Sequence, residues 1–163
     1  MRSVDHARSP QLAAATLETI PPADREAFLE MAERHFRELN PSFVPQEDWR
    51  QQYFDRILEN PRLYLRWVVA GGRRAGFVLF GTEDHVFLPR RSGVVYELYI
   101  SPGFRRQGLA RACAQQVIDQ LRSHAPSKVQ LEIMENNRGA AALWTSLGFE
   151  KVAERWVLRK TRT

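Results

Sequence analysis

Apolar residues recur along this chain with two periods, and the change from one to the other divides it. Phe28, Met31, Ala32, His35, Phe36 and Leu39 fall at helical spacing, which predicts an amphipathic helix over residues 23–39. Pro21-Pro22 presets its start, Asp24 places negative charge near the first turn, and Asn40-Pro41 stops it. A second helix is predicted over residues 46–59, with Trp49, Tyr53, Ile57 and Leu58 on one side and Asn60-Pro61 as its stop. The period then shortens. LYLRWVVA (63–70) and AGFVLFG (75–81) are dense in β-branched and aromatic side chains and are joined by GGRR, which predicts a hairpin with a glycine-supplied turn. VVYELYI (94–100) is a third strand, and the polar, basic link before it (82–93) reads as an exposed loop.

Helical spacing returns over residues 108–124, through Leu109, Ala112, Cys113, Val117 and Leu121, and Pro126 closes it. VQLEIM (129–134) reads as a strand, residues 137–146 as a short alanine-rich helix, and Leu147-Gly148 as its C-terminal cap. Residues 149–160 predict one or two final strands, the last being RWVLRK, and weak alternation over residues 11–20 adds a first strand. A strand, a long helix and another strand in succession make a crossover unit with parallel strands and a right-handed connection. The expected class is α/β (α+β): a mixed, mostly antiparallel sheet of six or seven strands with helices on both faces. One domain spans residues 11–163, after a loose stretch over residues 1–10.

Composition narrows the choice of function. A chain of 163 residues suits one domain, and a hydrophobic fraction of 44% supports a real core. No apolar run approaches the ~20 residues that span a bilayer, and no apolar segment follows Arg2 and Arg8, so neither a membrane nor a secretory signal is expected. Cys113 is the sole cysteine, which rules out an intramolecular disulfide and fits a reducing, cytoplasmic setting; it reads as a small apolar helix residue. Four scattered histidines give no zinc spacing, so no metal is expected. The net charge of +5 suits an anionic partner, either nucleic acid or a phosphorylated cofactor. Without a basic stripe interleaved with aromatics, nucleic acid is the weaker of the two.

The stretch ELYISPGFRRQGLA (97–110) favours the phosphorylated cofactor. A strand runs through Pro102-Gly103 and two arginines into a helix start. The first turn of a helix presents free N–H groups and the positive end of its dipole, where phosphates bind. Gly108 and small Ala110 allow close approach, and Arg105 and Arg106 add charge. The three-glycine dinucleotide fingerprint and the ATP-binding P-loop are both missing. RRQGLA instead matches [QR]-x-x-G-x-[GA], and NRGAAALWTSLGF (137–149) resembles N-x-x-A-x-x-L-Y-x-x-x-G-F, with Asn137, Ala140, Leu143, Gly148 and Phe149 in register. On these two motifs, in this order, the chain resembles the GNAT superfamily of acyl-CoA-dependent N-acetyltransferases over residues 94–149.

The resemblance implies acetyl-CoA as cosubstrate. The amides of Arg106, Gln107, Gly108, Leu109 and Ala110 would cradle its pyrophosphate. The backbone of Leu98, Tyr99 and Ile100 would border its pantetheine arm where two parallel strands splay. Asn137 and Trp144 would lie near the thioester. Glu97, a carboxylate on a strand expected to be apolar on both faces, would take a proton from a substrate ammonium, and the backbone near Leu98 would polarise the thioester carbonyl. Tyr96, Leu98 and Ile100 should share one face of the strand, Glu97 and Tyr99 the other. Trp144 stands where the family often has a tyrosine that protonates the departing thiolate, and an indole cannot serve as that acid. Packing is its expected role, leaving solvent, Tyr99 or Tyr96 as the proton source.

Glu83, Asp84 and His85 read as a solvated loop that could instead draw a cationic amine, and His35 as an ordinary helix residue. The expected activity is acetyl transfer to a primary amine, on a small molecule or a peptide, in a ternary complex. The rivals are a non-catalytic CoA-binding module and a basic nucleic-acid-binding domain. The acceptor carries no readable signature, and the reading leaves room for a homodimer.

Overall fold

A computed structural model describes residues 14–124 and 127–158. The expected loose stretch (1–10), the start of the first predicted strand, Pro126 and the last residues of RWVLRK lie outside the described residues. Five strands make one sheet in chain order: β1 (Thr16–Thr19), β2 (Leu63–Ala70), β3 (Arg73–Asp84), β4 (Arg91–Ile100) and β5 (Val129–Leu131). The first four pair antiparallel, and β4 pairs β5 in parallel. Helices α1 (Arg25–Leu39) and α2 (Glu47–Glu59) cover one face; α3 (Leu109–His124) and α4 (Arg138–Ser146) cover the other.

Local chemistry accounts for most of these bounds. Gly71 and Gly72 both adopt positive φ, 56° and 71°, which a two-residue hairpin turn requires. β3 begins directly after them and runs to Asp84, and pairing continues through Thr82–Gly93, Glu83–Ser92 and Asp84–Arg91. The polar stretch expected as a loop is therefore mostly strand, and only residues 85–90 connect β3 to β4. Its polarity reflects the solvent at that end of the sheet, where Glu83 and Asp84 are exposed. Asp24 does not cap α1 with its side chain. Its Oδ2 accepts from Trp67 Nε1 at 3.1 Å and Arg74 at 2.6 Å, which holds the carboxyl below the usual carboxylate range.

The sheet has five strands rather than six or seven. Residues 149–158 pair with nothing in the sheet, although Val152, Trp156 and Leu158 have strand-like character and stand 90%, 87% and 101% exposed. A strand is a pairing rather than a propensity, and the available edge is short: β5 stops at Leu131, so residues 132–134 offer no ladder.

Each face of the sheet carries its own core. Phe28, Leu29 and Ala32 of α1 and Phe54 of α2 pack on Trp67, Phe77 and Tyr99. Cys113, Ala114, Val117 and Leu121 of α3, with Trp144 of α4, pack on Val78, Phe80, Val95 and Ile100. A close approach ties α3 to the sheet: a Cβ on Gly93 would lie 3.0 Å from the Leu121 Cβ. Burial pushes the Cys113 thiol up to about 12, so it acts as the small apolar residue expected.

Candidate active site

β4 and β5 pair only from Gly93–Val129 to Val95–Leu131. Beyond Val95 the two strands part, leaving that edge of β4 open to Ile100. A bulge lies at the same place: Glu97 pairs with Leu79 and Val95 with Phe80, so Tyr96 is the extra residue. The bulge breaks the expected alternation. Tyr96 does not share a face with Leu98 and Ile100 but lines a cavity on the α2 side with Leu79. Leu98 and Ile100 pack on the α3-side core, and Tyr99 is buried in the α1–α2 core.

The antiparallel ladder fixes where the backbone groups point. Ser101 donates its amide to Ala75 across β3, at 2.8 Å. Two-residue alternation then turns the amides of Leu98 and Ile100 toward the open edge. The Ile100 carbonyl already accepts from Arg105 Nε at 2.8 Å.

The turn after β4 presents a run of free donors. Arg106 holds φ 64° and Gly108 φ 78°, a left-handed conformation that brings successive N–H groups to one side. Ala112 donates to the Gly108 carbonyl at 3.0 Å and closes the first turn of α3. Among the described residues, no backbone or side-chain group accepts from the amides of Arg106 through Arg111. The helix dipole adds positive potential at this point. Gln107 and the Arg106 side chain are exposed, Ala110 is half-buried, and Leu109 is a core residue 1% exposed. Arg105 turns away. It reaches Glu38 Oε2 of α1 at 2.6 Å and lies over the Tyr99 ring, so its charge is committed to α1 instead of the turn.

Glu97 faces α1. Its Oε2 lies 2.6 Å from His35 Nε2, with the two side chains 23% and 10% exposed. The carboxylate on this strand is thus neither unpaired nor bound to an arginine. His35, expected to be an ordinary helix residue, is the group that sequence reasoning missed. The available signal was an imidazole within the apolar stripe of α1, since a buried polar group needs a partner. Tyr53 of α2 also feels this carboxylate: burial first, then the Glu97 charge, raise its phenol well above the ordinary tyrosine range.

The two phenols considered as acids are both committed. Tyr99 donates to Glu38 at 2.9 Å and Tyr96 to Glu83 at 2.9 Å; burial raises both phenols, and the carboxylate partners raise them further. Asp84 binds Arg91 and Arg62, which hold its carboxyl low. The acidic residues thought able to draw an amine are therefore engaged elsewhere. Trp144 is 5% exposed and packs edge-on against Phe149 at 5.2 Å, as expected of a core residue. Asn137 caps α4, its Oδ1 accepting from the Ala140 amide at 3.1 Å.

A cavity of about 360 Å³ opens on the α2 side, lined by Tyr53, Arg56, Ile57, Leu63, Leu79 and Tyr96 among others. Leu79 pairs with Glu97, so the cavity adjoins the carboxylate. An open strand edge, a run of unpaired amides and a carboxylate beside a largely apolar cavity thus fall within residues 97–111.

The Acetyltransferase (GNAT) family pattern matches residues 26–149. The chain belongs to the GNAT acetyltransferase family. An uncharacterized N-acetyltransferase of Methanocaldococcus jannaschii is 22% identical over 145 residues, covering 87% of this chain and 64% of that protein. A [ribosomal protein bS18]-alanine N-acetyltransferase of Escherichia coli is 34% identical over 61 residues, covering 37% of this chain and 41% of that protein. The chain therefore spans less than two thirds of these curated relatives. Among solved structures, a ribosomal-protein-alanine N-acetyltransferase from Brucella melitensis biovar Abortus superposes with a TM-score of 0.71 at 18% identity, covering 90% of this chain and 99% of that one. Within this GNAT fold, no helix among the described residues is long and apolar enough to cross a membrane, and none of the described residues form a group of metal-ligating side chains.

Proposed function

We propose that this chain transfers an acetyl group from acetyl-CoA to a primary amine by direct attack in a ternary complex. The unpaired amide run from Arg106 to Arg111 carries the reading, because free N–H groups gathered by a left-handed turn at the positive end of a helix dipole suit an anion. Those amides would hold the pyrophosphate of coenzyme A, and the open edge at Leu98 and Ile100 would border its pantetheine arm. Bound acetyl-CoA supplies the thioester acyl group.

The chain's own residues then have distinct tasks. The Leu98 amide donates to the thioester carbonyl. Glu97 accepts the proton of the acceptor ammonium, directly or through a water. The C–N bond would form as the C–S bond breaks, with the sulfur keeping the electron pair and the second proton of the nitrogen passing to water. With Trp144 buried and both phenols committed, the thiolate takes its proton from water, which a leaving group of thiol pKa ≈ 8–9 permits.

The cavity beside Glu97 supports one class of acceptor. Its lining is mostly aromatic and aliphatic, with Asn60 polar and Arg56 its one charged side chain. An amine on an apolar body, such as a peptide N-terminus, fits that lining better than a polyamine does. The relatives named for acetylating a ribosomal-protein alanine point the same way.

Calorimetry with coenzyme A tests the cofactor site. A saturable isotherm is expected for the wild type. Gly108→Val, which forces a β-branched residue into positive φ, should weaken it more than about tenfold, with thermal unfolding showing that the fold persists. Equal affinity in the two proteins would refute the placement. Acetyl-CoA consumption, followed with N-terminal peptides, aromatic amines, polyamines and aminoglycosides, tests the transfer. Saturable binding without turnover on any acceptor would favour a non-catalytic CoA-binding module instead.

A further inference from the structure

We propose that His35 is a positioning residue that locks the carboxylate of Glu97 into one orientation; this rests on the acetyltransferase reading above. His35 is one of three polar residues that are buried among the described ones, and the other two, Thr82 and Ser92, lie at the far end of the β3–β4 ladder. It sits among three aromatic rings: Phe36, Phe77 and Tyr99, at centroid distances of 5.3, 5.8 and 5.1 Å. An imidazole in such a setting costs free energy unless it is hydrogen-bonded. Its recorded partner is Glu97 Oε2 at 2.6 Å. An ionised carboxylate only accepts, so Nε2 carries the hydrogen.

This bond divides the two oxygens of Glu97. Oε2 is held by α1, and no described residue donates to Oε1, which is left to meet the acceptor. Fixing one oxygen removes the rotational freedom of the other, which is what a base needs in order to meet a proton at short range. One turn along the same helix, Glu38 holds the Tyr99 hydroxyl and Arg105, the first residue of the turn that precedes α3. A single face of α1 therefore grips both the proposed base and the entrance to the proposed phosphate site.

The charged and titratable groups around the pair come from every neighbouring element: Arg34 and Glu38 on α1, Tyr53 on α2, Tyr99 and Tyr96 on β4, and Arg105 beyond it. The phenols remain protonated through neutral pH.

Two variants test the assignment. His35→Met fills similar space without a donor, and His35→Gln restores an N–H at about the reach of Nε2. In His35→Met, kcat should fall by about 10–100-fold, the scale of loss for a misplaced catalytic group, while KM for acetyl-CoA stays within about twofold. In His35→Gln, kcat should recover most of the loss. Wild-type kcat in His35→Met would overturn the proposal, as would equal losses of kcat in His35→Met and His35→Gln that follow equal falls in melting temperature, since that is the mark of packing alone. Absence of turnover in the wild type would sink the acetyl-transfer reading and this proposal together. Wild-type turnover with an indifferent His35→Met sinks this proposal and leaves the reading intact.

Discussion

The two halves of β4 have the same neighbour on one side and opposite circumstances on the other. From Arg91 to Val95 the strand is ordinary sheet interior, paired with β3 on one edge and approaching or pairing β5 on the other, with α3 pressed onto Gly93. From Tyr96 to Ile100 it keeps β3 but loses β5, and the chemistry-bearing groups lie there: the bulge at Tyr96, the carboxylate of Glu97 and the outward amides of Leu98 and Ile100. Three residues of ladder separate a structural strand from a functional one. The site begins where backbone pairing stops, because an open edge has donors and acceptors to offer a ligand and a closed one does not.

Neutralising Glu97 should have the largest effect on that comparison. Glu97→Gln keeps shape and hydrogen-bonding capacity but removes the base. The expected loss in kcat is about 10²–10⁴-fold, with coenzyme A affinity unchanged by calorimetry. A loss in affinity of the same size would mean that Glu97 serves the cofactor, and that the division of labour between the strand edge and its α1 face is drawn wrongly.

A substitution in the paired half should do the opposite. Gly93→Val would drive side-chain atoms into Leu121, whose Cβ already lies 3.0 Å from where a Gly93 Cβ would be. Overpacking of this kind costs about 1–3 kcal/mol, which in a chain of this size lowers the melting temperature by about 2–12 °C. Turnover per folded molecule at 25 °C should not change. A shift in KM for acetyl-CoA with the melting temperature intact would erase the distinction between the halves.

The elements with an internal cause were legible in the sequence. The periodicity of α1 and α3, the Gly71-Gly72 turn and the strand-to-helix entry at Arg106–Ala110 each follow from residues close together in the chain, and the two motifs carried the family. What needed a partner was not legible. The final strands failed because their side chains promise a ladder that a three-residue β5 cannot provide. Tyr96 was placed on the wrong face because one inserted residue in a register of period 2 moves it across the sheet. His35 was passed over because its partner lies 62 residues away. Arg105 was counted with the turn because Glu38, which takes its charge, belongs to another helix.

Asn137 sharpens the comparison with the smallest effect. The family motif places it near the cofactor, yet its Oδ1 accepts the Ala140 amide and so satisfies one of the free donors at the start of α4. If capping is its task, Asn137→Ala should cost about 1 kcal/mol of stability, visible in urea unfolding as a lower midpoint at unchanged slope. Asn137→Ser, which restores a capping oxygen, should return most of that loss. Coenzyme A affinity should stay within about twofold in both, because the amides of Arg106–Arg111 and the edge of β4 do not depend on this cap. If Asn137→Ser regained stability while affinity stayed depressed, the amide nitrogen of Asn137 would have to reach the cofactor, and the start of α4 would join the open half of β4 as a second wall of the site.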